Sequence, residues 1–166
     1  MRSLIKKLTT DDWQIFKDIR LQMLSKEPQA FTTTFAQVSE YTEEEWRNRT
    51  AGDRVIVLVI FVDGKPAGMN GMYYKNEEKE AVTIWGMYIK KELRRMGLGE
   101  KLMNAIEQEI RKDQAVKKIK ICVKSSQTPA WELYKKRGFV EVTRNKDKTN
   151  VRGELYDEIH MEKDVI

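Results

Sequence analysis

One cysteine, one histidine and three prolines stand among 166 residues, and each scarcity narrows what the chain can be. Cys122 has no second cysteine to pair with, so no internal disulfide forms, and such a chain suits a reducing cytosol. In the apolar string Ile119-Lys120-Ile121-Cys122-Val123 it reads as a buried, inert thiol. His160 is the lone histidine, and a metal site needs companions that it lacks in the sequence. No metal is therefore expected, and His160 reads as a strand-surface residue. Long hydrophobic runs are missing too. The longest, Val55 to Val62, suits a buried strand and falls far short of the roughly 20 residues that span a bilayer. The opening Met1-Arg2-Ser3-Leu4-Ile5-Lys6-Lys7 has neither the apolar stretch nor the cleavage site of a signal peptide, so the expected location is cytoplasmic and no membrane partner is expected.

No repeat, low-complexity tract or Pro/Gly/Ser-rich linker divides the sequence, and its length favours one domain over 1–166. A chain of this size buries about two-thirds of its unfolded surface. With 34% charged and 40% hydrophobic residues it has an ordinary globular composition. The formal net charge of +5 favours anionic partners in general. Its basic residues are scattered among acidic ones rather than gathered into a stripe, so nucleic acid is not expected as the main partner. Eight Met and four Trp are most simply core or pocket lining.

The most informative segment runs from Met87 to Leu102. A half-apolar strand, Met87-Tyr88-Ile89, enters the basic turn Lys90-Lys91-Glu92-Leu93-Arg94-Arg95-Met96-Gly97-Leu98-Gly99, which opens onto an amphipathic helix. Glycines at 97 and 99 let backbone approach a ligand closely. The helix start behind them offers unpaired N–H groups and the positive end of a dipole, a seat for phosphate oxygens. A dinucleotide fingerprint would need glycine where Leu102 stands, and no Walker Gly-Lys-Ser/Thr string occurs. Taken alone, the same glycines could simply turn the chain.

Periodicity organises the remainder. Leu4 to Leu8 predicts a strand; Thr10-Asp11-Asp12 caps a helix that carries Ile15, Phe16, Ile19 and Met23 and stops before Pro28. Thr42, three residues before Glu45, predicts a capping box for a second helix, with Ala30 to Phe35 an irregular link. Strands follow over 54–62, 65–74 and 80–89, with Asp63-Gly64 a hairpin turn and residues 76–79 a polar turn. Leu98, Leu102, Met103, Ile106 and Ile110 repeat at helical spacing. A strand over 118–123 precedes a helix from Thr128-Pro129 to Gly138, its left-handed cap. Strands over 139–144 and 156–163 flank a polar turn at 145–150. The order β-α-α-β-β-β-α-β-α-β-β predicts an α/β (α+β) fold, a mixed sheet of about seven strands flanked by about four helices.

The spacing Arg94-x-x-Gly97-x-Gly99 resembles the coenzyme A pyrophosphate loop of the GCN5-related N-acetyltransferase (GNAT) superfamily. Ala130-Trp131-Glu132-Leu133-Tyr134-Lys135-Lys136-Arg137-Gly138-Phe139 resembles that superfamily's Ala-x-x-Leu-Tyr-x-x-x-Gly-Phe signature. The element order agrees over nearly the whole chain. The resemblance implies an acetyl-CoA-dependent N-acetyltransferase acting on a primary amine, with acetyl-CoA as cosubstrate and no metal. It implies that Arg94, Arg95, Met96, Gly97, Leu98, Gly99 and Glu100 hold pyrophosphate, mostly through main-chain amides. It further implies that Met87, Tyr88 and Ile89 pair with pantetheine as an added strand would, with the Met87 amide polarising the acyl carbonyl. Tyr134 becomes the general acid for the departing thiolate. Gln127 stands where the family has an asparagine that touches the pantetheine arm.

The chain departs from the family at Thr83, where many relatives carry a glutamate base. Relay through water to Glu78, Glu80, Asp157 or Glu158 would replace it. Trp85 lies on the strand facing the expected acceptor cleft. The acceptor could be a small amine, a peptide, or a protein N-terminus as in ribosomal-protein-type acetyltransferases. A non-catalytic acyl-CoA sensor on the same scaffold is a different class, and edge strands toward the C-terminal end could pair two copies.

Overall fold

A computed structural model describes residues 1–75, 77–149 and 153–166. Its sheet has seven strands in the order β1-β2-β3-β4-β5-β7-β6. These are β1 (Ser3–Lys7), β2 (Val55–Val62), β3 (Lys65–Tyr73), β4 (Ala81–Ile89), β5 (Lys118–Lys124), β6 (Val140–Thr149) and β7 (Leu155–Asp164). Among the described strands only β4 and β5 run parallel. Five helices cover the sheet: α1 (Trp13–Lys26), α2 (Phe35–Ser39), α3 (Glu43–Thr50), α4 (Leu98–Arg111) and α5 (Thr128–Lys136). This is the expected mixed α/β order with one helix more. None of the described helices is long and apolar enough to cross a membrane.

Strand β2 shows why its run of apolar residues is unbroken. Leu58, Ile60 and Val62 point into a core shared with Leu102, Met103 and Ile106 of α4. Val57 and Val59 point the other way, toward Phe16, Ile19 and Met23 of α1 and Trp46 of α3. A strand covered on both faces has no polar side to show, hence no alternation. Turn chemistry behaves as predicted: Asp63 and Gly64 take φ of 47° and 81°, the doubly left-handed turn that closes a hairpin. Thr42 accepts from Glu45 N at 3.2 Å while Glu45 accepts from Thr42 N at 2.8 Å, completing the capping box.

Two segments differ from expectation. The link before α3 contains α2, started by Thr34, whose hydroxyl accepts from Gln37 N at 3.2 Å. Its single turn is too short to declare itself by periodicity. Residues 145–149, expected as a polar turn, continue β6, with pairing to β7 as far as Thr149 opposite Leu155. Two register shifts absorb the misfit, and Asp147 takes a positive φ of 54°. A polar strand at a sheet edge carries no apolar alternation, and the sequence there looks like a turn. Of the other expected turn residues, Asn76 and Asn150 lie outside the described residues.

Candidate functional site

The site begins where β4 and β5 stop pairing. Their parallel ladder runs from Ala81 opposite Lys118 to Ile84 opposite Ile121 and no further. Beyond it, Trp85 to Met87 and Cys122 to Lys124 line opposite walls of a cavity of about 450 Å3. The cause is a bulge in β4. Met69 pairs with Tyr88 and Gly71 with Trp85, so Gly86 and Met87 together face the single residue Asn70. Gly86 has φ of 65°, the left-handed conformation of a glycine bulge. Such a bulge turns the strand and frees its edge on the β5 side.

The basic loop lies directly beyond this opening. Arg95 and Gly97 take φ of 62° and 75°, and Gly97 is the N-cap of α4. Having no side chain, Gly97 cannot cap, so the N–H groups of the first helical turn face outward, in contrast to the capped α3. A Cβ at Gly97 would meet nothing within 4 Å, whereas one at Gly99 would lie 3.2 Å from Met87 Cε. The two glycines thus differ: Gly97 leaves open space at the helix start, and Gly99 lets α4 close on Met87.

Side chains in the loop are mostly committed elsewhere. Arg94 donates through Nε to the Ile89 carbonyl at 2.9 Å and pairs with Glu27 at 2.8 Å, tying the loop to β4 and to the end of α1. Leu98 is buried in the core and anchors the first turn. Glu100 is drawn aside by Lys136 at 2.6 Å, a bond that holds its carboxyl below the usual range. Arg95 and Met96 are exposed. Tyr88 and Ile89 are buried in the cores on opposite faces of the sheet, so only their backbone could meet a ligand.

Met87, Gln127 and Tyr134 come together on the wall of the cavity. Tyr134 is buried, its ring 6.0 Å from Phe139, and burial pushes its phenol well above the ordinary range. Its hydroxyl has no hydrogen-bond partner among the described residues. Gly138, with φ of 90°, ends α5 as predicted and turns Phe139 back under the helix.

Cys122 corrects the sequence reading. Strand alternation sends Ile121 and Val123 into the core and puts Cys122 on the opposite face, exposed at the cavity wall. Partial burial, and then the charge of Glu158, push its thiol up to about 11, so it stays protonated as expected. His160 likewise has companions: Glu158, two residues back on the same face of β7, and Cys122, brought in by strand register. Its Nε2 lies 2.8 Å from Glu158 Oε1, and ligand atoms of Cys122, Glu158 and His160 all fall within 4.8 Å of one another. Register pairs Cys122 with His160 across β5 and β7, joining residues far apart in the sequence.

Among the four acids considered as proton acceptors, Glu158 lines this cavity. Glu78 is paired with Lys120 at 2.8 Å and Asp157 with Arg144 at 3.1 Å, and both carboxyls are held low by those bonds. Arg20, Thr33, Tyr73 and Trp85 are shared with a second cavity of about 650 Å3 between the sheet, α1 and α3. Lys124 roofs the junction by donating to the carbonyls of Gln29 and Phe31 at 3.0 and 3.2 Å. Arg20 and Lys124 carried no sequence signal, because only long-range packing assembles their surroundings; the Glu158–His160 pair had one, a two-residue spacing that puts both side chains on one face of β7.

Solved structures resemble this architecture throughout. A GNAT-family acetyltransferase from Streptococcus pneumoniae superposes with a TM-score of 0.84 at 19% identity, over 99% of this chain and 100% of that one. The protein yncA of Salmonella typhimurium, solved with its cofactor acetyl-CoA, gives 0.80 at 15% identity, over 100% and 95%. The ribosomal-protein-S18-alanine N-acetyltransferase of Escherichia coli gives 0.74 at 21% identity, over 99% and 94%. At these identities the likeness establishes fold. No curated protein matches the chain by sequence. The acetyltransferase (GNAT) family does match, over residues 20–139, and the chain belongs to that family.

Proposed function

We propose that the protein is an acetyl-CoA-dependent N-acetyltransferase that moves an acetyl group directly to a primary amine. The observation that carries this reading is the parting of β4 from β5 beside an uncapped helix start, with Tyr134 in the wall between them. Acetyl-CoA fits these residues: a left-handed loop with open space at Gly97 suits a diphosphate, and the free edge of β4 suits an amide-bearing arm. When bound it supplies the activated acyl group.

The chain's own groups then divide the work. Amides over 95–100 hold the diphosphate, and Gln127 offers an amide donor and acceptor to the arm. Met87 N–H donates to the acyl oxygen, where negative charge develops. Glu158, hydrogen-bonded to His160, takes one amine proton through water. Tyr134 delivers a proton to sulfur. One N–C bond forms as one C–S bond breaks, giving an amide and a thiol.

The test is thiol release from acetyl-CoA across a panel of amines. Turnover with at least one amine is expected. Calorimetric binding of acetyl-CoA with no turnover on any amine would instead identify a sensor. The loop assignment has its own check. Gly97→Val places a β-branched residue at a φ of 75°, where a non-glycine costs about 1–2 kcal/mol and the amides must shift. Acetyl-CoA affinity should fall roughly tenfold or more, since misaligning two or three such bonds costs at least 1.4 kcal/mol. Unchanged affinity in a folded variant would remove the loop from the site.

A further inference from the structure

Arg20 is a buried charge without a counter-charge. Its residue is 8% exposed, yet among the described residues it forms no ion pair, and its hydrogen-bond partner is Met23 Sδ at 3.6 Å. Two rings flank its guanidinium, Trp85 at 5.1 Å and Phe31 at 5.8 Å from their centroids. The other strongly buried ions are compensated: Glu107 by Arg137 and Lys163, Lys124 by two carbonyls. An uncompensated buried ion costs several kcal/mol, and aromatic faces offset only about 2 kcal/mol of it. Burial lowers the Arg20 pKa only to about 10, so the group remains a cation at neutral pH.

Its position gives that charge a use. Arg20 lines both cavities at their junction. Its Nη1 lies 3.6 Å from where a Cβ on Gly86 would stand, beside the bulge that precedes Met87. The larger cavity adds Arg49 and Arg54 against a single acid, Glu45, whose carboxylate is already engaged by Thr42 N. Phe16, Trp46 and Trp85 supply its apolar wall. A cationic, aromatic-walled chamber repels polyamines and aminoglycosides and attracts a molecule with an anionic end.

We propose that Arg20 docks a carboxylate of the acyl acceptor, so that the acceptor is an amine that also carries a carboxylate. The inference rests on the acetyltransferase reading above. Guanidinium and carboxylate match in planar, two-bonded geometry, and the pair would form in a site sheltered from water. Because Arg20 sits next to the bulge, the carboxylate belongs close to the amine. A free amino acid meets that requirement, as does a peptide with an acidic residue near its N-terminus.

Amino acids such as methionine, phenylalanine and glutamate, each beside its carboxamide, form the first arm of the test. Peptides differing only by Glu or Gln at the second position form the other. In the wild-type protein the carboxylate form should exceed its neutral partner in kcat/KM by about 10- to 100-fold, the range for a hydrogen-bonded charge. A carboxamide raises the free-amine fraction, which biases against this result. Preference in the first arm marks amino acids, and in the second, peptides. Arg20→Gln should erase the preference by raising KM, and Arg20→Lys should restore part of it, with acetyl-CoA affinity within about twofold in both. Equal use of acid and amide by the wild type overturns the inference while leaving the acetyltransferase reading intact. Failure of every amine overturns that reading and the inference with it. Removing an unpaired buried charge should leave the melting temperature unchanged or higher, and a clear drop would mark Arg20 as structural and overturn its docking role.

Discussion

Tyr134→Phe should cut turnover by about 100-fold or more while acetyl-CoA is held as tightly as before. A positioned acid contributes on the order of 10²–10⁴ in rate. The variant keeps the ring that packs 6.0 Å from Phe139 and loses a hydroxyl that bonds to no described residue, so the fold should not notice the change. Burial raises the phenol above its ordinary value near 10, which makes it a weaker acid. The raised pKa also fixes the pH sign. In the proposed acid role Tyr134 acts protonated, so any alkaline loss of rate on its account must lie above pH 10, and none should appear between pH 7 and 10. Measuring kcat, KM and acetyl-CoA Kd separately decides the matter. Equal losses in rate and affinity would strip Tyr134 of the acid role.

Much of this site was legible because its parts are local. Gly97 at the N-cap, Gly138 at the end of α5 and Asp63-Gly64 in the hairpin are each dictated by backbone geometry within a few residues. The helical spacing of Leu102, Met103, Ile106 and Ile110 likewise declares a buried face. The illegible parts come from pairing between distant strands. Nothing in the string around Cys122 says that the face it occupies lies at the cavity wall. That depends on where β4 departs from β5, and hence on Gly86 as a bulge opposite Asn70. The Glu158–His160 pair meets Cys122 only because β7 inserts between β5 and β6. Nothing in the residues around Arg20 marks it out. Its burial follows from the segment at 29–31, which Lys124 draws over the sheet by two carbonyls.

Glu107→Ala should destabilise the protein by about 3–5 kcal/mol, the cost of breaking a buried ion cluster by removing one member. Glu107 is 1% exposed on α4 and receives Arg137 Nε at 2.9 Å and Lys163 Nζ at 2.8 Å, with Arg111 at 3.6 Å. One carboxylate thus joins α4 to the end of α5 and to β7, the elements behind Tyr134 and Gly97. Its removal leaves two largely buried cations facing each other. A melting temperature lower by roughly 10 °C is expected for a domain of this size. Burial opposes ionisation of Glu107, but the hydrogen bonds from Lys163 and Arg137 outweigh it and hold the carboxyl below its usual range. The unfolded chain, with a carboxyl pKa near 4.3, therefore binds the proton first as pH falls. The stabilisation is complete above about pH 4.3 and drains away as pH drops through the lower folded value. Glu107→Gln should accordingly flatten part of the acid limb of stability against pH. Because the cluster lies more than two turns from Gly97, acetyl-CoA affinity measured well below the melting point should hold within about twofold. Thermal melts of the Ala variant within 1 °C of wild type would show that α4 is held by its apolar face alone.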